Sequence, residues 1–135
     1  MRSHSDIKVV VVDDSETVRR TVVRLLEQSG YVVFTACDGF EAMSVISDNE
    51  PDIIFLDIVM PRLDGYQVCS LIRKNRQFRE TPVIMLSASD GIFDRARARI
   101  AGFSEHLDKP FSKEDLVNII NRHVAAPGSH SQETA

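Results

Sequence analysis

Three carboxylates, one hydroxyl and one lysine are set apart by where they fall in the chain. Asp57 follows the unbroken apolar run Ile53-Ile54-Phe55-Leu56, the pair Asp13-Asp14 follows Val9-Val10-Val11-Val12, and Ser87 follows Val83-Ile84-Met85-Leu86. None of these runs alternates with polar residues, so each reads as a strand buried on both faces, the kind found in the middle of a parallel sheet. In such open sheets function gathers beyond the carboxyl ends of the strands. Lys109 follows a weaker run, Glu105 to Leu107, and adds an ammonium at a further strand end. Three carboxylates brought to one edge repel by several kcal/mol at ~4 Å and intermediate dielectric unless a cation sits among them. Mg²⁺ suits that need, because it takes a few carboxylates, keeps several waters and leaves positions for a phosphoryl oxygen. A lysine and a hydroxyl opposite the ion complete the charge neutralisation that phosphoryl transfer requires, and one carboxylate is then a nucleophile able to form an aspartyl phosphate.

The elements that must position these groups alternate strand and helix. The first helix spans Ser15 to Gln28, capped by Asp14 or Ser15, lined by Val18, Val22, Leu25 and Leu26, and stopped by Ser29-Gly30. Tyr31 to Ala36 is the second strand, and Asp38 with Glu41 has the form of a capping box opening a helix with Phe40, Met43, Val45 and Ile46 apolar, ending before Glu50-Pro51. The third strand, Ile53 to Asp57, runs into the turn-forming Pro61 to Gly65 segment, and Tyr66, Val68, Cys69, Leu71 and Ile72 mark a third helix that gives way to the basic, polar stretch Arg73 to Arg79. Pro82 starts the fourth strand, where its missing donor is tolerated. A fourth helix is predicted over Asp90 to Ala101, with Arg95 and Arg99 on one face and Arg97 on another, ended by Gly102. Ser112 with Asp115 caps a fifth helix carrying Leu116, Ile119, Ile120 and Val124. Five strands alternating with five helices specify an α/β fold with right-handed crossovers.

Composition narrows the function classes. The 135 residues suffice for one domain, and 43% hydrophobic with 27% charged residues is ordinary for a globular chain. A net charge of −4 gives no electrostatic case for nucleic acid as the main partner. Cys37 and Cys69 lack CxxC spacing, so neither a disulfide framework nor a zinc site is expected, and His4, His123 and His130 have no metal-ligand spacing. No apolar run reaches signal-peptide or membrane-spanning length, so a reducing cytoplasm without membrane insertion is the expected setting. Residues 1–7 read as an N-terminal extension, 8–124 as the domain, and 125–135 as a disordered polar tail.

At the strand ends the sequence resembles a known family. Val12-Asp13-Asp14-Ser15, Leu56-Asp57 with Met60-Pro61 and Asp64-Gly65, the pair Ser87-Ala88, and Lys109-Pro110-Phe111 resemble, in order, the marks of the receiver domains of two-component response regulators, in the chemotaxis-like single-domain branch. Arg62-Leu63-Asp64-Gly65-Tyr66 and Asp38-Gly39-Phe40 are most similar to regulators of type IV pilus twitching motility. The resemblance implies a doubly wound, flavodoxin-like fold with five parallel strands in the order 2-1-3-4-5. It implies that Asp57 accepts a phosphoryl group from a histidine kinase or phosphotransfer domain, and that Asp14 ligates Mg²⁺ directly and Asp13 largely through water. Val59 is then a backbone carbonyl ligand, Lys109 the partner of the phosphoryl group, Ser87 the switch hydroxyl, and Ala88 a backbone N–H donor to the phosphoryl. The Lys109-Pro110 bond is expected to be cis.

Two positions depart from the family pattern. His106 stands where the switch ring is usually Tyr or Phe, and since an imidazole can titrate near neutral pH, activation is expected to depend on pH. Val59, with Ser89, flanks the path of attacking water in relatives; an apolar side chain cannot orient that water, so self-dephosphorylation is expected to be slow. With no output domain expected after Val124, the phosphorylated form is expected to bind another protein through helix four, strand five and helix five, a face carrying Arg95, Arg99, His106 and the Lys113 to Arg122 segment. Two rivals are a Mg²⁺-dependent phosphohydrolase or phosphotransferase and a phosphorylation-independent scaffold. The first usually has a second acid two residues after the nucleophile, where Val59 stands, and the second normally loses an Asp or the Lys that this chain keeps.

Overall fold

The computed structural model describes residues 6–88 and 95–124. Within them β1 (Lys8–Val12), α1 (Glu16–Gln28), β2 (Val32–Ala36), α2 (Gly39–Asn49), β3 (Ile53–Asp57), α3 (Gly65–Lys74), β4 (Val83–Ala88), α4 (Arg95–Ala101), β5 (Glu105–Lys109) and α5 (Lys113–His123) alternate along the chain. The strands form one parallel sheet in the order β2-β1-β3-β4-β5. The order implied by the family resemblance is therefore the one observed. β3 lies at the centre, and all its residues are buried.

Strand alternation divides the core. Val10, Val12, Ile54, Leu56 and Met85 pack with residues of α2, α3 and α4, whereas Val9, Val11, Ile53, Phe55, Ile84 and Leu86 pack with residues of α1 and α5. Continuing the alternation, Asp13 and Asp57 follow the α1/α5 row while Ser87 follows Met85 toward α4. Removing one large central side chain such as Phe55, which is fully buried, would forfeit its burial energy of about 1.5–3 kcal/mol and leave a cavity.

Local chemistry explains most boundaries. Ser15 caps α1 by accepting from the Val18 amide, and Ser112 and Asp115 form a reciprocal capping box at α5. Asp64 and Gln67 form a second such box at α3. The box expected at α2 is only half made: Asp38 accepts from the Glu41 amide, but the Glu41 carboxylate turns to the Cys37 amide at 2.6 Å. Phe40, expected on the apolar face of α2, is 60% exposed. The buried stripe is Gly39, Ala42 and Ile46, and at the helix entry Phe40 lies under the Arg62 guanidinium, 5.4 Å from its ring centroid. β5 runs two residues further than expected, to Lys109, and α4 is described from Arg95; the start predicted at Asp90 falls among residues 89–94, outside the described residues, as do Ser89 and the 125–135 tail.

The stretch Arg73 to Arg79 is more ordered than its polarity implies. Arg73 closes α3, a short 3-10 turn covers Arg76–Phe78, and Phe78 is buried. Arg73 donates to the carbonyls of Gly102 (2.9 Å), Phe78 (3.3 Å), Arg79 (3.0 Å) and Thr81 (2.6 Å), and to Ser104 Oγ (3.3 Å). One guanidinium thus ties the end of α3 to the α4–β5 turn, where Gly102 adopts φ +100 beneath the arginine stem. Arg73→Ala is expected to lower stability by roughly 2–4 kcal/mol, since it strands several carbonyls at once. Arg73→Lys, lacking the planar fork, should recover only a minor part. Urea unfolding of the three proteins provides the check, and a loss below about 0.5 kcal/mol for Arg73→Ala, the level of a plain surface substitution, would contradict this role.

Candidate functional site

The carboxyl-terminal edge of the sheet gathers the predicted groups. Asp13, Asp14 and Asp57 each offer a carboxylate oxygen, and the three oxygens lie within 4.8 Å of one another. Asp13 and Asp57 are buried, whereas Asp14 is exposed. Parallel pairing of β1 with β3 sets this geometry, because Val12 is in register with Leu56 and the residues that follow leave the sheet side by side. Lys109 Nζ approaches from β5, 2.9 Å from Asp13 Oδ2 and 3.8 Å from Asp57 Oδ1. The Lys109-Pro110 bond is cis.

Backbone amides anchor the Asp13 and Asp57 carboxylates, and the Arg19 side chain braces the Asp13 main chain. The Ser15 amide bonds Asp13 Oδ1 at 2.9 Å, the Val59 amide bonds Asp57 Oδ1 at 3.2 Å, and Arg19 Nη1 donates to the Asp13 carbonyl at 2.6 Å. Even so, burial first and the charge of Asp13 second push the Asp57 carboxyl up to about 7, against the pull of Lys109. That residual excess of negative charge is what a divalent cation bound at the three oxygens would relieve, so the donor set fits a hard, oxygen-ligated metal. Gly65 allows the loop carrying Val59 to close over the site. A Cβ there would meet the Asp57 carbonyl oxygen and lie 2.6 Å from Ile58 Cα. Gly65→Ala should therefore cost roughly 2 kcal/mol or more and weaken metal binding along with stability. Thermal unfolding with and without Mg²⁺ tests both parts, and a fully stable variant with unchanged Mg²⁺ response would refute the close-approach reading.

The other predicted residues are distributed around this edge. Val59 is 53% exposed beside Asp57. Ala88 pairs in register with Lys109, and Ser87 with Asp108. Ser87 is fully buried, and its hydroxyl donates to Asp108 Oδ1 at 3.1 Å, away from the carboxylate cluster. His106 Nε2 lies 3.2 Å from the same Asp108 oxygen. Arg95 and Arg99 line a cavity of about 240 Å³ with Met85, Ala98, Phe103 and His106, and Arg97 points elsewhere, over the Tyr66 ring and toward Asp64. Glu105, within the expected output face, is held by Arg122 and His123, which lower its pKa against the opposing effect of burial. Asp108 is the residue that sequence reasoning passed over. Its i, i+2 spacing from His106 was readable; the strand register that sets it against Ser87 was not. Cys37 is exposed and Cys69 buried, both as free thiols. Among the described residues no helix is long and apolar enough to cross a membrane.

Comparison with known proteins shows the family to which this fold belongs. The family model of the response regulator receiver domain matches residues 9–121. The chain belongs to the response regulator receiver family. It is 56% identical over 125 residues to protein PilG of Pseudomonas aeruginosa, covering 92% of this chain and 93% of PilG. The response regulators MprA of Mycobacterium are longer, and the chain spans 47% of their length. Among solved structures, the chemotaxis protein CheY4 of Vibrio cholerae matches at TM-score 0.83 and 32% identity, over 87% of this chain and 98% of CheY4. The receiver domain of the sensor histidine kinase PA1611 from Pseudomonas aeruginosa, solved with a magnesium ion coordinated in its active-site cleft, matches at TM-score 0.82 and 29% identity, over 89% of this chain and 98% of that domain. The receiver family identifies the chain as a signalling switch rather than a turnover enzyme.

Proposed function

We propose that residues 8–124 form a Mg²⁺-dependent phospho-switch in which Asp57 takes a phosphoryl group from a histidine kinase or phosphotransfer domain, and that the switch serves pilus motility or chemotaxis in the cytoplasm. The observation that carries the reading is the gathering of three carboxylate oxygens within 4.8 Å of one another, two of the acids also facing the Lys109 ammonium, at the carboxyl edge of a parallel sheet. The likeness to PilG and CheY4 supports the process, and the magnesium in the PA1611 receiver supports the metal.

Asp14, Asp13 and Asp57, with the Val59 carbonyl, would hold Mg²⁺, which supplies charge neutralisation to a phosphoryl oxygen. An Asp57 oxygen attacks the donor's phosphorus, the new O–P bond forms as the N–P bond breaks, and the electron pair leaves with the imidazole nitrogen, which takes up a proton. Lys109 balances the charge added at Asp57, and the Ala88 amide offers a donor to the phosphoryl group. The added charge of about −1.5 to −2 then biases Ser87 and His106 toward a second arrangement, read by a partner protein on the face formed by α4, β5 and α5 with Arg95 and Arg99.

Labelling with phosphoramidate, with and without Mg²⁺, is the test. One phosphoryl group per chain, dependent on Mg²⁺, is expected. Continuous release of phosphate from a free phosphomonoester would favour the hydrolase instead, and absence of label would favour a scaffold. The exposed, apolar Val59 offers no group to orient water, so the label is expected to persist well beyond that of a Val59→Asn variant; equal lifetimes would remove that point.

A further inference from the structure

We propose that Asp108 is a positioning residue that holds the switch hydroxyl of Ser87 in its unphosphorylated arrangement, so that phosphorylation must break the Ser87–Asp108 bond. This rests on the reading of Asp57 as the phosphoacceptor. Ser87 and Asp108 are cross-strand partners of β4 and β5, and the Ser87 hydroxyl donates to Asp108 Oδ1 at 3.1 Å. His106, two residues earlier on β5 and on the same face of the sheet, brings Nε2 to 3.2 Å from that same oxygen. One carboxylate oxygen therefore serves both groups expected to move.

The competition follows from valence and register. A serine hydroxyl has one hydrogen to donate. Asp57 is in register with Leu86, so Ser87 stands one residue beyond it on a strand about 4.8 Å away, within reach of a phosphoryl group but on the row that faces α4. The hydroxyl can donate to Asp108 or to the phosphoryl group, not to both. Asp108 is itself 61% exposed at its side chain, so it does not fill the core, and its replacement removes no buried apolar packing. Its negative charge is the feature that makes it the better acceptor until a phosphoryl group of larger charge arrives.

Beryllofluoride with Mg²⁺, a mimic of an aspartyl phosphoryl group, tests this on the full chain. Asp108→Ala is expected to tighten beryllofluoride binding about five- to tenfold and Asp108→Asn less, with Mg²⁺ affinity in the absence of beryllofluoride unchanged. In the mimic-free Asp108→Ala protein, the amide resonance of Ser87 and the ring resonances of His106 should already shift toward their positions in the loaded wild type, a change that a merely structural residue would not cause. In a Ser87→Ala background the Asp108→Ala gain should vanish. Binding unchanged within twofold, weaker binding, or a gain that persists without the Ser87 hydroxyl would each overturn the proposal. Failure of the wild type to bind beryllofluoride with Mg²⁺ would instead strike at the phosphoacceptor reading itself.

Discussion

Asp57→Asn should abolish phosphoryl incorporation and at the same time make the metal-free protein more stable. The first effect is the loss of the nucleophile: an amide oxygen does not form the acyl phosphate, so label from phosphoramidate should fall at least about a hundredfold, as expected when the group making the bond is removed. The second effect has the opposite sign because Asp57 is only 5% exposed and shares its edge with the buried Asp13 carboxylate. Replacing one of two like charges by a neutral isostere removes a repulsion and a desolvation penalty together. A gain of roughly 1–3 kcal/mol is expected in chelator at about pH 8, above the value of about 7 to which the Asp57 carboxyl is pushed, where wild type must carry the charge, given that each pKa unit corresponds to about 1.4 kcal/mol. Mass spectrometry of the labelled protein and urea unfolding in chelator provide the two readouts. A variant that still labels, or one that is less stable than wild type without metal, would contradict the assignment of strain and chemistry to the same carboxylate.

The stability of the wild type should fall with rising pH when metal is absent. Asp57 ionises at about 7 in the folded protein, against 3.8 for an unperturbed carboxyl. Between those values the folded state holds a proton that the unfolded state has released, so stability is greatest below about pH 4 as far as this group is concerned and declines through pH 7. The full span corresponds to about 4 kcal/mol as an upper bound, three pKa units at about 1.4 kcal/mol each. Mg²⁺ should flatten the decline, because a cation among the carboxylates favours their charged forms and binds the folded state alone. Urea midpoints at several values from pH 5 to 8, in chelator and in Mg²⁺, with Asp57→Asn as reference to cancel other titrating groups, measure it. Metal-free stability that rises over this range relative to that reference, or a Mg²⁺ effect no larger at pH 8 than at pH 5, would show that the acids are not coupled as described.

Most of the architecture was legible in the chain because its signals are local. Runs such as Val9 to Val12 and Ile53 to Leu56 have no polar face, so they could only be buried strands, and Ser15, Ser112 with Asp115, Gly30 and Gly102 mark helix ends through hydrogen-bonding capacity or backbone freedom that individual residues carry. Where reading failed, side chains chose between neighbours that sequence does not rank. Glu41 took the Cys37 amide rather than closing a box on Asp38, and Phe40 moved out under Arg62 because small residues, Gly39 and Ala42, occupy the buried stripe. The polarity of Arg73 to Arg79 concealed an arginine whose acceptors lie as far along the chain as Gly102.

The identity of the acids, the lysine and the hydroxyl, and their places at strand ends, are properties of the sequence, since each follows from the apolar run before it. That Asp13, Asp14 and Asp57 meet within 4.8 Å, with Lys109 touching the first of them, was decided by the tertiary structure. The physical reason is the parallel register: hydrogen bonding fixes Val12 beside Leu56 and Leu86 beside Asp57, and only that alignment brings residues dozens of positions apart to one edge. The same register set Asp108 against Ser87, a pairing that no periodicity along the chain could have announced.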